Sequence, residues 1–580
     1  MAKRSLSPAP LPPSKRIHTA SEDHTLASLQ TLPTFDNILS DEIVLFIFSY
    51  LSPSDLCAVQ RTNRNWSRLS LDNQLWKTLY ISEYGRTRLR GARGFIGRGD
   101  GREIKPLPGR AKSEDVKDWK WMFRISSNWR TGRCSLEHFE LGIPPRLFSR
   151  VQAPEQTHLL LAGSLTIMAS SKPSTLPTVL LTSPTHSSHT LQCPSHRTGV
   201  TTHITALALD QSPPTSGHHG KLVCFLSTGE FSVFSINHRT PSSSARLLTY
   251  QPSAANSRST PIVQAVYHHP LLVTLSESFR LSLYDLSSDS VRHTQTLTSF
   301  TSYPPSSLVL SSQSPSTYKL ILAYAIPVYP SHWSVGATEL LISSSENSRM
   351  TVVSTRTARA IDVPQGWVDE RKMRAVREQW SRKVASVADT QTDGKWVVLA
   401  PGQHVPSPTS SEDPSSSSST GGSPSNTPPS SPSSSSSGTT FTSSRLYTAS
   451  GLQLYRLYFP SSTSGSSSPK LMFVRTLHGQ IGPVSTLALA DGRCVSLGVN
   501  GSIWVWDLEA GTGTEVTPGV TGPTSEDGEE GNGDEEDSAP DAFEAVKLRV
   551  ATGARGSVVF DDRRIVSSHG SEVEVRRFDI

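Results

Sequence analysis

Residues 478–511 read HGQIGPVSTLALADGRCVSLGVNGSIWVWDLEAG. Three short runs rich in β-formers, VSTLALA, RCVSLGV and SIWVWDL, are separated by Asp491-Gly492 and Asn500-Gly501. Both dipeptides tolerate the positive φ that a tight hairpin demands, so the stretch predicts consecutive antiparallel strands. Weaker copies of the same order cover 202–236, 261–288 and 560–580, the last ending in Phe578-Asp579. Less regular units fit 134–185, 303–358 and 392–460, which makes seven in all. Units too small to bury their own faces must stack on neighbours, and a ring does so without leaving a long exposed edge.

Trp506-Asp507 closes the best unit where the WD dipeptide of a propeller blade stands. Residues 134–580 are therefore similar to an all-β, WD-repeat-type propeller, expected here with seven blades, although six or eight would change little. Three insertions interrupt it. Residues 366–388 predict a helix, with Met373, Val376, Trp380, Val384 and Val387 on one stripe and Arg371, Arg374, Arg377, Arg382 and Lys383 elsewhere. Packing of that stripe on the propeller's side is the expectation. Residues 402–443 are a Ser/Pro-rich tract and 512–541 an acidic one, both expected to be disordered.

Upstream, residues 39–80 read LSDEIVLFIFSYLSPSDLCAVQRTNRNWSRLSLDNQLWKTLY. Asp41 and Glu42 suit a first helical turn, and Ile43, Ile47 and Leu51 recur at helical spacing beside Phe46 and Tyr50. Ser52-Pro53-Ser54-Asp55 restarts the chain with a cap, a first-turn proline and an acid at the capping-box offset. Some forty residues carrying this much apolar surface call for a partner to cover part of it. The segment resembles an F-box. Leu39, Glu42, Ile47-Phe48, Leu51, Asp55-Leu56, Trp66, Leu69, Asp72, Leu75-Trp76 and Leu79 match the family pattern in order and spacing. Ser40 replaces the usual proline, and Thr62-Asn63 stand where Val-Cys is common.

Between the two lies 83–133, a basic loop followed by SEDVKDWKWMFRISSNWRTG at 113–132. Val116, Trp119, Phe123 and Ile125 fall near helical spacing. The string resembles the linker of F-box/WD-repeat receptors, with Trp119, Trp121 and Trp129 expected to pack. The layout expected is thus a disordered tail over 1–34, an F-box over 35–82, the loop and linker helix, and the propeller.

Composition narrows the function. Only 18% of residues are charged and 35% hydrophobic. The net charge of +5 conceals nine Lys/Arg against two acids over 86–112, and nine acids with no base over 526–541. Five scattered cysteines, none paired as CxxC, argue against a disulfide framework or a structural metal. No nucleophile elbow, phosphate loop, dinucleotide fingerprint or HExxH appears. His218-His219 and His268-His269 lack neighbours at ligand spacing. The basic start lacks an apolar core for a signal peptide, and no run approaches the length of a membrane span. The chain reads as soluble, in nucleus or cytoplasm, with Lys3-Arg4 and Lys15-Arg16 spaced like halves of an import signal.

The resemblance implies a non-catalytic substrate receptor of a Skp–cullin–F-box ubiquitin ligase. Leu39, Ile43, Ile47, Leu51, Leu56 and Trp76 would meet a Skp-type adaptor that brings a cullin, and no metal, cofactor or membrane is called for. The propeller would hold a client protein, phosphorylated or not. Arg280 and Arg493 sit near turns of good repeats, but no client-binding residue follows from sequence. An F-box scaffold without ligase activity is the alternative, and nucleic acid the least favoured partner.

Overall fold

A computed structural model describes residues 38–85, 118–140, 156–402, 451–518 and 556–580, with gaps at 184–185, 198, 213–219, 238–239, 253–259, 289, 315, 329–331, 345–349, 362–365, 461–467 and 571. The expected tail over 1–34, the basic 86–112 run and most of the Ser/Pro-rich and acidic tracts lie outside these residues. Two compact units divide between Trp76 and Lys77. Among the described residues no helix is long and apolar enough to cross a membrane.

The first unit is built from short helices: α1 (Asp41–Phe48), α2 (Pro53–Val59), α3 (Arg64–Ser70) and the start of α4 (Asn73–Tyr80). Local chemistry sets each boundary. Ser52 accepts from the Asp55 N–H (3.2 Å) with Pro53 in the first turn of α2. Asn63 caps α3 by accepting from the Trp66 N–H at 2.8 Å. Asp72 accepts from the Gln74 and Leu75 N–H groups at the head of α4.

The second unit is a ring of seven sheets. Six are consecutive four-stranded meanders over 157–192, 204–250, 262–298, 303–359, 387–477 and 484–515, here the first to sixth blades. The seventh blade joins both ends of the unit. Ser557–Phe560, Arg564–His569 and Glu572–Arg577 supply its inner strands, and Arg133–Glu140 pairs antiparallel with Glu572–Arg577 as its outer strand. The unit expected over 134–185 thus straddles two blades. Its start closes the ring and its remainder begins the first blade, because pairing there is set by a strand more than 400 residues away.

The insertions also begin and end differently from expectation. Thr512–Glu515 is the outer strand of the sixth blade and Thr517–Pro518 adds a short parallel pair to Arg133–Glu140, so 512–518 is blade. Likewise, Val387–Thr392 opens the fifth blade and takes the last two residues of the expected helical insert.

The core is distributed around the ring. Each pair of neighbouring blades encloses its own apolar cluster, from Ile167, Leu181 and Leu222 between the first and second to Met168, Val566 and Val575 between the seventh and first. A blade alone would expose both walls, which is why the repeat is stable only as a closed array.

The Trp506-Asp507 pair explains itself physically. Trp506 fills the blade and donates from Nε1 to Ser496 Oγ (2.8 Å), which donates onward to Gln480 Oε1 (2.6 Å). Asp507 accepts from the Glu509 and Ala510 N–H groups and so turns the chain into the outer strand. Asp491 (φ 56°) and Gly492 (φ 73°) both take the left-handed conformation expected of the hairpin.

Candidate functional site

Within the helical unit, sequence period separates two faces of α1. Val44 and Phe48 point inward, 1% and 2% exposed, and Phe48 meets Trp66 edge-on with centroids 5.8 Å apart. Leu56 and Leu69 complete this core at 0% and 3% exposure. Trp76 is 2% exposed and donates from Nε1 to the Ser70 carbonyl at 2.7 Å. On the other face, Ile43, Phe46, Ile47 and Tyr50 stand 48%, 62%, 38% and 76% exposed. Leu39 and Leu51 are half-buried at the two ends of that face.

The six residues named from sequence therefore fall into two groups. Ile43 and Ile47, flanked by Leu39 and Leu51, present surface. Leu56 and Trp76 are interior, holding the helices together, and the difference arises because the short helices carry apolar residues on more than one face. Phe46 and Tyr50 were not among the six, yet they dominate the open face, their rings edge-to-face at 5.3 Å. Their i, i+4 spacing was the available signal. The Arg68–Asp41 ion pair (2.6 Å) is exposed and adds little stability.

In the second unit, α5 (Trp119–Thr131) leads into the propeller. Asp118 caps it by accepting from the Trp121 N–H at 2.9 Å, and Gly132 ends it at φ 73°. Tyr80 and Tyr84 pack on Trp119 and Phe123, and Glu83 pairs with Arg130. Farther along, Asn128 donates to the Phe578 carbonyl (2.8 Å) and Trp129 to the Asp562 carbonyl (2.9 Å). Trp129 is buried and Trp121 lies under Arg563, in keeping with the packing role expected of these tryptophans.

Strand direction distinguishes the two faces of the ring. Asp210 and Tyr267, at the inner strands of the second and third blades, form a parallel bridge, so inner strands of successive blades run the same way. Connections between blades, and between second and third strands, then open on one face. Connections after first and third strands open on the other. The partners of α5, at 561–563 and 578–579, belong to the latter, which we call the linker face. The helical insert, the Ser/Pro-rich tract and the acidic tract all leave from strands ending on the former, the insertion face. Arg493 sits over the Trp129 ring (5.1 Å to its centroid) on the linker face, whereas exposed Arg280 begins a third strand on the insertion face.

No arrangement among the described residues gathers three or more His, Cys, Asp or Glu side chains as a metal site. Buried titratable groups serve packing instead. Asp389, in the fifth blade, accepts from the Thr390 N–H (2.7 Å) and, across to the sixth blade, from the Leu487 N–H (2.7 Å) and Thr486 Oγ1 (3.1 Å). Burial raises its pKa against the pull of those donors.

Known proteins resemble both units. The family model described as F-box-like matches residues 41–82. The one described as F-box protein pof12 beta-propeller matches residues 151–577. Among curated proteins, F-box/LRR-repeat protein 5 of Xenopus tropicalis is 45% identical over 42 residues, 7% of this chain and 6% of that protein. An F-box protein of Saccharomyces cerevisiae is 26% identical over 124 residues, 18% of each chain. F-box protein pof12 of Schizosaccharomyces pombe is 37% identical over 54 residues, 9% of this chain and 12% of that one. The matches thus span less than a fifth of these relatives' length.

Proposed function

The chain belongs to the F-box protein pof12 beta-propeller family, and on that premise we propose that it is the substrate-recognition subunit of a Skp–cullin–F-box ubiquitin ligase. The observation that carries the reading is the open face of α1. Ile43, Phe46, Ile47 and Tyr50 stay exposed although the unit's own core is filled by Val44, Phe48, Leu56 and Leu69. Such a contiguous apolar face on a small helical unit asks for a protein cover, and it lies in the stretch that matches the F-box-like model. A Skp-type adaptor is that cover, and through it a cullin.

The subunit then works by proximity and is not itself a catalyst. Its propeller holds a client so that client lysines meet a ubiquitin-charged enzyme, which raises effective concentration and leaves bond chemistry to others. The insertion face is the place for the client, since α5 occupies part of the linker face. Nucleus or cytoplasm is the proposed site of action, supported by the Lys3-Arg4 and Lys15-Arg16 pairs.

Capture of adaptor and cullin by the full chain, beside an Ile43→Asp/Ile47→Asp variant, tests this. The wild type should recover both and the variant neither. Adaptor without cullin means an F-box scaffold. No adaptor, under conditions where another F-box protein captures it, overturns the reading.

A further inference from the structure

Two buried thiols meet where the first blade gives way to the second. Cys193 follows the last strand of the first blade, and its N–H donates to the Pro177 carbonyl at 2.8 Å. Cys224 stands in the second strand of the second blade, in register with Leu207 on one side and Ser232 on the other. Both are 0% exposed, and both belong to the apolar cluster that Ile167, Leu181 and Leu222 fill between these blades. Hydrogen bonding with Cys193, and then burial, raises the Cys224 pKa well above the ordinary thiol range. A single buried cysteine packs as a small hydrophobe and needs no further reason. Two of them, brought together from different blades, set the atoms of a disulfide side by side.

The chain beyond Cys193 is held but not enclosed. Ser195 Oγ (2.9 Å) and the His196 N–H (3.2 Å) both donate to Glu230, a buried carboxylate just before the second blade's third strand. A cavity of about 340 Å³ opens beside this connection. Its walls include Gln192 and Pro194, on either side of Cys193 in sequence, and Leu191 and Phe234 of the same apolar cluster. Hydrogen peroxide is small and uncharged, so it enters such a place without the desolvation cost that a charged oxidant would meet. Of the other cysteines, Cys134 and Cys494 are as buried but sit in other clusters, and Cys57 is exposed.

We propose that Cys193 and Cys224 are a redox pair, which peroxide converts to a disulfide that fastens the first blade to the second. One sulfur, as its thiolate, attacks a peroxide oxygen: the S–O bond forms, the O–O bond breaks, and the departing oxygen leaves as water. The other sulfur then displaces the sulfenic oxygen, which forms the S–S bond, breaks the S–O bond and releases a second water. Together the two thiols give up two electrons and two protons, and the peroxide takes them. Since the thiolate is the reacting species, the raised pKa of Cys224 makes the pair slow to react and keeps it reduced at low peroxide. The inference stands apart from the ligase reading, because the adaptor face and the thiol pair lie in different units.

Peroxide added to the folded full chain, followed by alkylation of the remaining thiols and mass spectrometry of unreduced peptides, tests it. A peptide joining Cys193 to Cys224 should appear, predominate over every other cysteine pairing, and vanish on treatment with dithiothreitol. Closing a loop of about thirty residues should raise the thermal transition by about 4 °C. Cys193→Ser should yield neither the linked peptide nor the shift. Where that variant fails to fold, Cys224→Ala takes its place, and the mapped peptides of the wild type decide the matter without either. Both thiols intact at a peroxide dose that oxidises Cys57 overturns the proposal. So does sulfinic acid at either position without a link, or pairing shared evenly among the cysteines. A linked peptide that forms only in denaturant, or one that leaves the transition unmoved, overturns it too.

Discussion

Trp129 lies flat on Phe578, their ring centroids 4.1 Å apart and their planes 17° from parallel. One residue ends the linker helix and the other follows the last strand, 0% exposed. With Asn128 and Trp129 bonded to carbonyls of the same blade, this stack clamps the ring where its two ends meet. Trp129→Ala should therefore lower the propeller's stability by about 3–5 kcal/mol, the usual cost of removing a buried aromatic. In a double-mutant cycle with Phe578→Ala the pair should show coupling of about 0.5–1.5 kcal/mol. Thermal unfolding of the propeller checks both. An unmoved transition would show that closure rests on the Arg133–Glu140 strand alone.

The two faces of α1 predict opposite phenotypes. Phe46→Ser/Tyr50→Ser removes exposed rings and should leave the helical unit folded while weakening adaptor binding about a hundredfold, the scale of losing an aromatic hot spot. Leu56→Ala should cost about 2–5 kcal/mol of fold stability, because its side chain is fully enclosed. Adaptor titration beside circular dichroism separates the two. Equal loss of helicity in both variants would refute the division between surface and core.

His158 gives the propeller an acid-sensitive joint between its first and second blades. Its Nε2 lies 3.2 Å from the Ile204 carbonyl oxygen, and burial pushes its pKa down to about 4, with nearby His203 acting the same way. The unfolded imidazole takes its proton near pH ~6.5, whereas the folded one resists until about pH 4. Between those values the unfolded state binds more protons, so the stabilisation is whole above about pH 6.5 and is lost as pH falls toward 4. The loss reaches about 3 to 4 kcal/mol at most, at about 1.4 kcal/mol per pKa unit. His158→Gln should flatten that slope. Urea midpoints at neutral and mildly acidic pH measure it, and identical slopes in both chains would exclude His158 as the cause.

What could be read from sequence was whatever neighbouring residues decide. Asp491-Gly492 marks its hairpin because φ is a local matter, and the Ser52-Pro53 start of α2 is fixed within four residues. Arg133–Glu140 was misassigned because its partner, Glu572–Arg577, lies at the far end of the chain and no local pattern announces it. Period placed Ile43 and Ile47 on one face of α1 correctly. It could not say that Leu56 and Trp76 are interior, since that depends on how the helices fold upon one another. The stripe of the 366–388 insert divides along its length: Val384 is buried and Val387 packed in the propeller core, as the spacing leads one to expect, whereas Met373 is 42% exposed.

Asp389 offers the sharpest test of how neighbouring blades are joined. Its carboxylate reaches from the inner strand of the fifth blade to the Leu487 N–H and the Thr486 hydroxyl on that of the sixth. Both inner strands have their own ladders, but at this place the sixth blade's strand is irregular: pairing with Arg493–Gly498 slips between Val484 and Thr486. Val484–Ala490 is the edge strand of its sheet, with a neighbour on one side alone, and the Asp389 oxygen reaches across from the other blade to take the Leu487 N–H. Removing that acceptor leaves a buried N–H without a partner, which costs more than the net worth of an ordinary hydrogen bond. Asp389→Ala should lower stability by about 2–4 kcal/mol on that ground. Asp389→Asn keeps one acceptor oxygen and should lose less, about 1–2 kcal/mol. Since Asp389 lies in neither proposed docking face, adaptor capture should survive both changes. Denaturant midpoints of the two variants decide the matter. A loss for Asn as large as for Ala would mean that the charge matters more than the acceptor, and no loss for either would mean that water takes the carboxylate's place.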